Sequence, residues 1–441
     1  MQKFLLIGSG AREHAIAKAL ARSSQAPQIF CFATSRNPGI QALATDYRVG
    51  DICDVNTVVE AAITWKIDLA IIGPEAPLEK GLADALWKNK IPTIGPKQIL
   101  AQLETSKAFT RDLLKKYHIP GSLHYRVFQD VTGVKEFLQQ LGDGNYVIKA
   151  NGLMGGKGVK VAGDHLHSLA EAYQFCEELT ALGQTFVIEE KLIGQEFSLL
   201  CFCDGKNIIS MPAVQDHKRA FVNDEGPNTG GMGSYSDATH RLPFLIEEDM
   251  QKAQQINEAV VEALTKECGE KYIGILYGSF MATKDGVKLI EYNARFGDPE
   301  AMNVLAILES DFAEICQAMV TGKLTKEHVS FANLATVCKY AVPHGYPDRP
   351  EKNFLIDISR VINPEQLYFS AVDARDDQYY ATGSRTVAVV GIAKTIYEAE
   401  QIAEQEIQRV QGNLFHREDI GTEKLIRSRV KQMQELRRCV V

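Results

Sequence analysis

Along the first hundred residues, short apolar runs alternate with longer stretches that are apolar on one side only. Lys3 to Ile7, Gln28 to Ala33, Asp68 to Ile72 and Ile91 to Ile94 read as strands, and the stretches between them, such as Val58, Val59, Ala62, Ile63 and Lys66, carry helical spacing. Alternation of this kind predicts an open parallel sheet with crossover helices. After Ser106 and Lys107 one more helix is predicted, Ala108 to Tyr117, ending near Pro120, and then the rhythm changes. Tyr146 to Lys149 and Val159 to Ala162 flank a glycine-rich loop. Phe197 to Cys203 and Ile208 to Met211 flank Asp204-Gly205, and Ile275 to Thr283 and Val287 to Asn293 flank Asp285-Gly286. Apolar runs paired around such turns are antiparallel hairpins, so this region is α+β. A polar stretch at 322–330 leads to a last segment. It has strand candidates at Leu334 to Val342 and Arg385 to Ile392, an amphipathic helix from Thr395 to Val410, and a charged tail.

The length, 441 residues, suits about three domains of this kind. Lys+Arg 48 against Asp+Glu 56 leaves a net charge of −8, which offers no global footprint for nucleic acid. No apolar run approaches the roughly 18 to 20 residues of a membrane helix. The nine cysteines include no C-x-x-C pair, so reduced thiols in a cytoplasmic protein are expected. Cys201 and Cys203, two apart on a predicted strand, belong to a core.

Five stretches carry chemistry. Gly8-Ser9-Gly10-Ala11-Arg12-Glu13-His14 follows a strand and opens a helix, the place where backbone N–H groups and the helix dipole favour a phosphate. Glu13 occupies the third glycine position of the dinucleotide fingerprint, and the second strand ends in Phe32, Ala33 and Thr34 without an acidic residue, which disfavours a nicotinamide cofactor. Glu75, in a glycine-proline turn at the end of a strand, can accept hydrogen bonds from a ribose or an amine. The loop 151–158 is not a Walker loop, but a glycine-rich flap on a hairpin can cover phosphates with Lys149 and Lys157 supplying charge. Glu189, Glu190 and Glu196 leave apolar strands where they can read a ribose diol or an adenine amino group. On the strand that ends at Asn293, Glu291 and Asn293 share a face and offer hard oxygens to one Mg²⁺, with Arg295 beside them. Between these lie the basic cluster 215–219 and the glycine-dense loop 226–233, which suit a closing segment of an active site.

In order along the chain, GSGAREHA (8–15), GPEAPL (73–78), LETSKAFT (103–110), IKANGLMGGKGV (148–159), QDHKR (215–219), GPNTGGMG (226–233), RFGDPE (295–300) and FHREDIG (415–421) resemble the ATP-grasp superfamily, and within it the phosphoribosylamine-glycine ligase family. The resemblance covers nearly the whole chain. It implies an N-terminal α/β substrate domain over residues 1–104, an ATP-grasp domain over 105–325 with a mobile lid at about 122–192, and a C-terminal α/β domain over 326–441. The implied reaction joins glycine to 5-phosphoribosylamine with ATP and Mg²⁺ or Mn²⁺, through an acyl phosphate, in purine biosynthesis. It needs positioning and charge neutralisation and no protein nucleophile.

By the same resemblance, Lys107, Lys149 and Lys157 contact ATP phosphates. Glu189, Glu190 and Glu196 surround adenine and ribose, and Leu192 lies near the purine. Glu291 and Asn293 are the metal ligands. Arg295 and Asp298 hold the carboxylate and ammonium of glycine, with Lys218 as a third catalytic residue, and Gly8, Gly10, Arg12 and Glu75 hold phosphoribosylamine. The implied partners are these small molecules, with no nucleic acid or membrane, and the implied state is a monomer or weak homo-oligomer. The chain departs from the family pattern at Ser35 to Gly39 after the second strand, at Asn151 where an aspartate is usual, at Met154-Gly155 and at Met302.

Overall fold

The computed structural model describes residues 1–153 and 158–438. Lys157, Met154 and Gly155 therefore lie outside the described residues.

The N-terminal sheet is parallel, in the order β3-β2-β1-β4-β5. Its strands are β1 (Lys3–Ile7), β2 (Gln28–Ala33), β3 (Asp46–Val49), β4 (Leu69–Ile72) and β5 (Thr93–Ile94). Helices α1 (Ala11–Ala21), α2 (Pro38–Leu43), α3 (Val55–Trp65), α4 (Glu75–Glu79), α5 (Leu82–Lys88) and α6 (Gln98–Thr105) connect them and lead out of the last. The central strands β1, β2 and β4 are apolar on both faces, as a sheet covered on both sides requires, whereas the edge strand β3 is largely exposed. Phe4 and Leu6 join the main core, while Leu5 and Ile7 belong to a second cluster with Val58, Ala62 and Leu82. Strand order reverses between β1 and β4, and a crevice at such a reversal, outside the carboxyl ends of the strands, is where open α/β sheets bind ligands. The loop at Gly8 and the turn before Glu75 stand at those two ends.

Helix α7 (Lys107–Lys116) leads into a small subdomain. It holds an antiparallel sheet, β6-β9-β7-β8, made of β6 (Tyr125–Phe128), β7 (Tyr146–Ala150), β8 (Val159–Val161) and β9 (Phe186–Glu190). Helices α8 (Val134–Leu141) and α9 (Leu169–Ala181) close a core of its own around Phe128, Phe137, Ile148 and Phe186. This core is separate from that of the rest of the chain and sets apart the unit where the sequence predicts the lid.

The central sheet runs β11-β10-β16-β17 and is antiparallel, with β10 (Gln195–Asp204), β11 (Ile208–Ser210), β16 (Ile273–Thr283) and β17 (Gly286–Asn293). Cys201 and Cys203 are both buried on β10, and burial pushes their thiols up to about 11 and about 12. The 22-residue helix α10 (Glu247–Cys268) packs on the sheet. Its first turn carries Glu247, Glu248 and Asp249 against the positive end of its dipole.

A further sheet crosses the expected domain boundary. It runs β12-β15-β18-β23-β20, so β12 (Gln215–Asp216) and β15 (Gly233–Ser236), which flank the ribbon β13 (Arg219–Phe221) and β14 (Glu225–Asn228), pair with strands from the C-terminal region. Those strands are β18 (Ala335–Pro343), β20 (Leu367–Phe369) and β23 (Val387–Ala393). A small sheet of β19 (Leu355–Ile356), β21 (Val372–Arg375) and β22 (Gln378–Ala381), the short β24 (Leu414–Phe415), and helices α11 (Glu300–Ala306), α12 (Phe312–Thr321), α13 (Ile396–Arg409) and α14 (Glu423–Arg438) complete the chain. The charged tail is thus a helix. No helix among the described residues is long and apolar enough to cross a membrane.

Candidate active site

At the first loop, Glu13 folds back under the backbone. Its Oε2 accepts from the Gly10 N–H at 2.6 Å and its Oε1 from Arg12 Nε at 2.6 Å, all but excluded from solvent. A Cβ on Gly73 would come within 2.1 Å of Glu13 Oε1, so the β4 turn approaches only because Gly73 has none. The carboxylate thus fills the space that a third glycine would leave for a pyrophosphate. His14 turns away from the crevice. Its Nδ1 accepts from the Phe369 N–H at 3.0 Å, its ring stacks on Phe369, and burial, reinforced by Lys18, drives its pKa well below the ordinary value. Asn37, in the segment that departs from the family pattern, caps α2 and donates to the Ser9 carbonyl at 2.9 Å and the Phe369 carbonyl at 2.8 Å. His14 and Asn37 together dock the N-terminal sheet on β20.

Arg12 Nη1 reaches out of α1 to the Phe296 carbonyl at 3.1 Å, and the next side chain along that segment is the hub of the site. Arg295 contacts Glu75 at 3.2 Å, Glu104 at 2.9 Å and Asn293 Oδ1 at 3.1 Å. Burial pushes the Glu75 carboxyl up, but Arg295 and then Arg12 outweigh it and hold it at about 2. Glu104 is buried more deeply, and its carboxyl stays above the ordinary value despite Arg295. It also accepts from the Ala294 N–H at 2.7 Å, fixing the backbone that carries Arg295.

Glu291 and Asn293 reach the site through an irregularity in β17. Ser279 pairs with Glu291 whereas Phe280 pairs with Leu289, so Ile290 is an extra residue in the strand. Val287, Leu289 and Tyr292 are buried in the core. Without the bulge, simple alternation would send Glu291 after Val287 and Leu289 into that core. The backbone groups exposed by the bulge are satisfied from α7 and the lid. Arg111 donates to the Leu289 carbonyl at 3.0 Å and to the Ile290 carbonyl at 2.7 Å, and Lys149 Nζ also reaches Ile290 at 3.2 Å. Arg111 and Lys149 are both ion-paired with Glu189, Arg111 at 2.8 Å. Burial opposes the Glu189 charge, but these two cations keep its carboxyl below the ordinary value. Glu291 is likewise held down against burial, by Lys218, Lys149 and Lys107.

Glu189 and Glu190 do not leave β9 together. Glu189 faces inward onto this triad, while Glu190 accepts from the His124 N–H at 2.9 Å at the outer edge. Leu192 follows on the loop and is half-buried. Lys107 donates to the Gly152 carbonyl at 2.8 Å, and Asn151 Oδ1 accepts from the Ala108 N–H at 3.2 Å, so the substituted asparagine caps α7 next to Lys107. Across the central sheet, Glu196 pairs with Lys218 at 2.5 Å and accepts from Ser279 at 3.0 Å.

Asp298 belongs to both halves of the molecule. Its Oδ1 accepts from the Tyr340 hydroxyl at 2.6 Å and lies 3.2 Å from Arg385, while its Oδ2 lies towards the first loop, 3.8 Å from where a Cβ on Gly10 would stand. Arg385, from the C-terminal region, also donates to the carbonyls of Gly230 at 2.6 Å and Asp298 at 3.0 Å, and stacks over Tyr340. Sequence reasoning did not single out Glu104, Arg111, Arg385 or Tyr340. Glu104 lay inside the quoted 103–110 segment. The other three are ordinary residues of a helix, a loop and a strand, and nothing local marks them.

A lid sheet facing a central antiparallel sheet, with lysines on the lid side and a carboxylate and amide on the opposing strand, is the arrangement of an ATP-grasp enzyme. Family models agree. Phosphoribosylglycinamide synthetase, N domain, matches residues 2–104, its ATP-grasp (A) domain 105–301 and its C domain 336–423. The chain is 48% identical over 435 residues to the phosphoribosylamine–glycine ligase of Methanosarcina barkeri, covering 99% of this chain and 100% of that one. It is 48% identical over 445 residues to the ligase of the same name from Methanocaldococcus jannaschii, covering 99% and 100%. The crystal structure of the phosphoribosylamine–glycine ligase from Thermotoga maritima superimposes with a TM-score of 0.80 at 26% identity, covering 95% of this chain and 99% of that one. Biotin carboxylase from Campylobacter jejuni, at 14% identity and a TM-score of 0.71, shares the fold. The chain belongs to the phosphoribosylglycinamide synthetase family and is an ATP-dependent carbon–nitrogen ligase.

Proposed function

We propose that this chain joins glycine to 5-phosphoribosylamine, giving glycinamide ribonucleotide, ADP and phosphate. A glycine carboxylate oxygen attacks the γ-phosphorus of ATP as the bond to ADP breaks, forming glycyl phosphate. The ribosylamine nitrogen then attacks the acyl carbon, loses a proton, and phosphate leaves. The observation that carries this reading is the position of Arg295, held between Glu75 and Glu104 of the N-terminal region and Asn293 of β17. That is where a substrate anchored on the first loop and a nucleotide under the lid come within reach of each other.

In this reading Lys107, Lys149 and Lys157 neutralise phosphate charge, Glu196 with Glu190 and Leu192 receives the nucleoside, and Glu189 orients Lys149. Arg295 takes the glycine carboxylate as a planar fork and Asp298 its ammonium, with Lys218 facing the transferred phosphoryl group. Gly8, Gly10, Arg12 and Glu75 hold the ribosylamine. Glu291 and Asn293 fit a Mg²⁺ or Mn²⁺ ion, because Mg²⁺ takes only one or two protein oxygens beside substrate phosphates and water. Bound with the nucleotide, the ion supplies charge neutralisation for phosphoryl transfer. The described cysteines are all free, which supports a reducing, cytoplasmic location.

The test is phosphate release with ATP, Mg²⁺, glycine and freshly generated phosphoribosylamine, omitting each in turn, with the amide product identified by mass. All four are expected to be required, and Glu291→Ala and Arg295→Ala are expected to abolish turnover. Product with a different amino acid and none with glycine would overturn the substrate assignment.

A further inference from the structure

Helix α14 lies almost entirely beyond the C-domain match, which stops at residue 423, yet its polar side chains reach the machinery of the site. Its apolar face rests on the main core, with Met433 buried and Leu425, Ile426, Val430 and Leu436 partly so. Arg429 is ion-paired with Asp224 at the tip of the β13–β14 ribbon, and Gln432 accepts from Gln195 at 2.7 Å, beside Glu196. Just before the helix, the fully buried Arg417 donates to Asp224 at 2.9 Å and to the Arg219 carbonyl at 3.1 Å, braced by Asp419 at 2.7 Å.

The ribbon needs such support. Asn223 and Asp224 both stand in the left-handed region, at φ 62° and 56°, which residues with a Cβ hold only where their surroundings enforce it. Here the Asn223 N–H donates to Asp419 at 3.0 Å, and the two arginines hold Asp224. Lys218 immediately precedes the ribbon, and Arg219 reaches the lid at Asp164, 2.9 Å away. One short hairpin thereby touches the lid, the C-terminal helix and the lysine beside Glu196.

We infer that the C-terminal helix latches this ribbon, with Arg429 acting through Asp224 as a positioning residue that holds Lys218 against Glu196. The inference rests on the reading of Lys218 as part of the reacting centre.

The experiment compares Arg429→Ala, Arg429→Lys, Asp224→Asn and the double variant Arg429→Ala/Asp224→Asn with the full-length wild type. It measures turnover and amide exchange over residues 216–229. Circular dichroism and a thermal melt check folding, and Arg429→Gln serves if the alanine variant does not fold. Arg429→Ala is expected to lower kcat by roughly tenfold, the scale of a small misplacement, and to weaken amide protection of the ribbon. KM for ATP and glycine should stay within about twofold, and Arg429→Lys should restore most of the loss. The double variant should be no worse than either single one. Arg427→Ala, on the exposed face of the same helix, should change nothing. Unchanged ribbon protection overturns the latch, and weakened protection at wild-type kcat overturns its role in catalysis. A wild type inactive towards glycine and phosphoribosylamine would sink the assigned activity instead, while the exchange measurement would still decide the latch.

Discussion

Arg111 donates to the carbonyl of Ile290 at 2.7 Å, and this contact joins the helix that carries Lys107 to the bulge that turns Glu291 and Asn293 towards the lid. The same guanidinium holds Glu189 on β9, so one buried side chain couples β9, α7 and β17. Removing it leaves Glu189 with Lys149 alone and strips two donors from the bulge.

Arg111→Ala is expected to destabilise the protein by about 3 kcal/mol, the low end of the cost of breaking a buried ion pair, because Lys149 stays with Glu189. Denaturant unfolding measures it, and a loss below about 1 kcal/mol would show that the bulge holds itself. Arg111→Lys should keep much of the stability yet loosen Mn²⁺ binding in the presence of ADP, read by electron paramagnetic resonance, because a point charge cannot serve two carbonyls and a carboxylate at once.

Glu75 sets an acid limit. Its carboxyl is held near 2 in the fold against an ordinary 4.5, so its contribution is complete above pH 4.5 and is lost as pH falls towards 2. The stability of the wild type should therefore fall more steeply across that window than that of Glu75→Gln. Parallel curves of melting temperature against pH would show that Arg295 does not hold Glu75 in solution.

His217 directly follows β12, between Asp216 and Lys218. It is buried, neither ring nitrogen has a hydrogen-bond partner among the described residues, and its ring lies 5.8 Å from that of Tyr235. Burial, reinforced by Arg417, lowers its pKa to about 3 from 6.5. The unfolded chain takes up a proton below pH 6.5 that the fold refuses, so stability drains as pH falls from 6.5 towards 3. His217→Phe should remove that slope and leave stability near neutral pH within about 1 kcal/mol, since an apolar ring replaces polar atoms that were unpaired. A wild-type slope retained in the phenylalanine variant would assign the titration elsewhere.

Arg385 ties Asp298 to the glycine-dense loop through the Gly230 carbonyl. Arg385→Ala should raise KM for glycine by about ten- to a hundredfold, equivalent to about 1.4–2.8 kcal/mol, with KM for ATP changed by less than about twofold. Steady-state kinetics at saturating phosphoribosylamine distinguish this from a general loss of fold, which would lower kcat with both KM values unchanged.

The sequence by itself determined the periodic parts of the molecule. The strands β1 and β2, the hairpins around Gly205 and Gly286 and the helix α13 follow from apolar spacing and turn residues, because those signals are local. The candidate loops were legible for the same reason: glycines and charges clustered at strand ends are seldom explained by packing. Tertiary structure alone decided the rest. Alternation placed Glu291 and Asn293 on one face, but the bulge at Ile290, which decides which face, exists only where β17 meets β16 and Arg111 supplies the missing donors. Glu104, Arg385 and Tyr340 matter because distant segments converge on Arg295 and Asp298. The polar tail becomes α14 because Arg429, Gln432 and Arg437 find partners more than 150 residues away in sequence, contacts that no local pattern encodes.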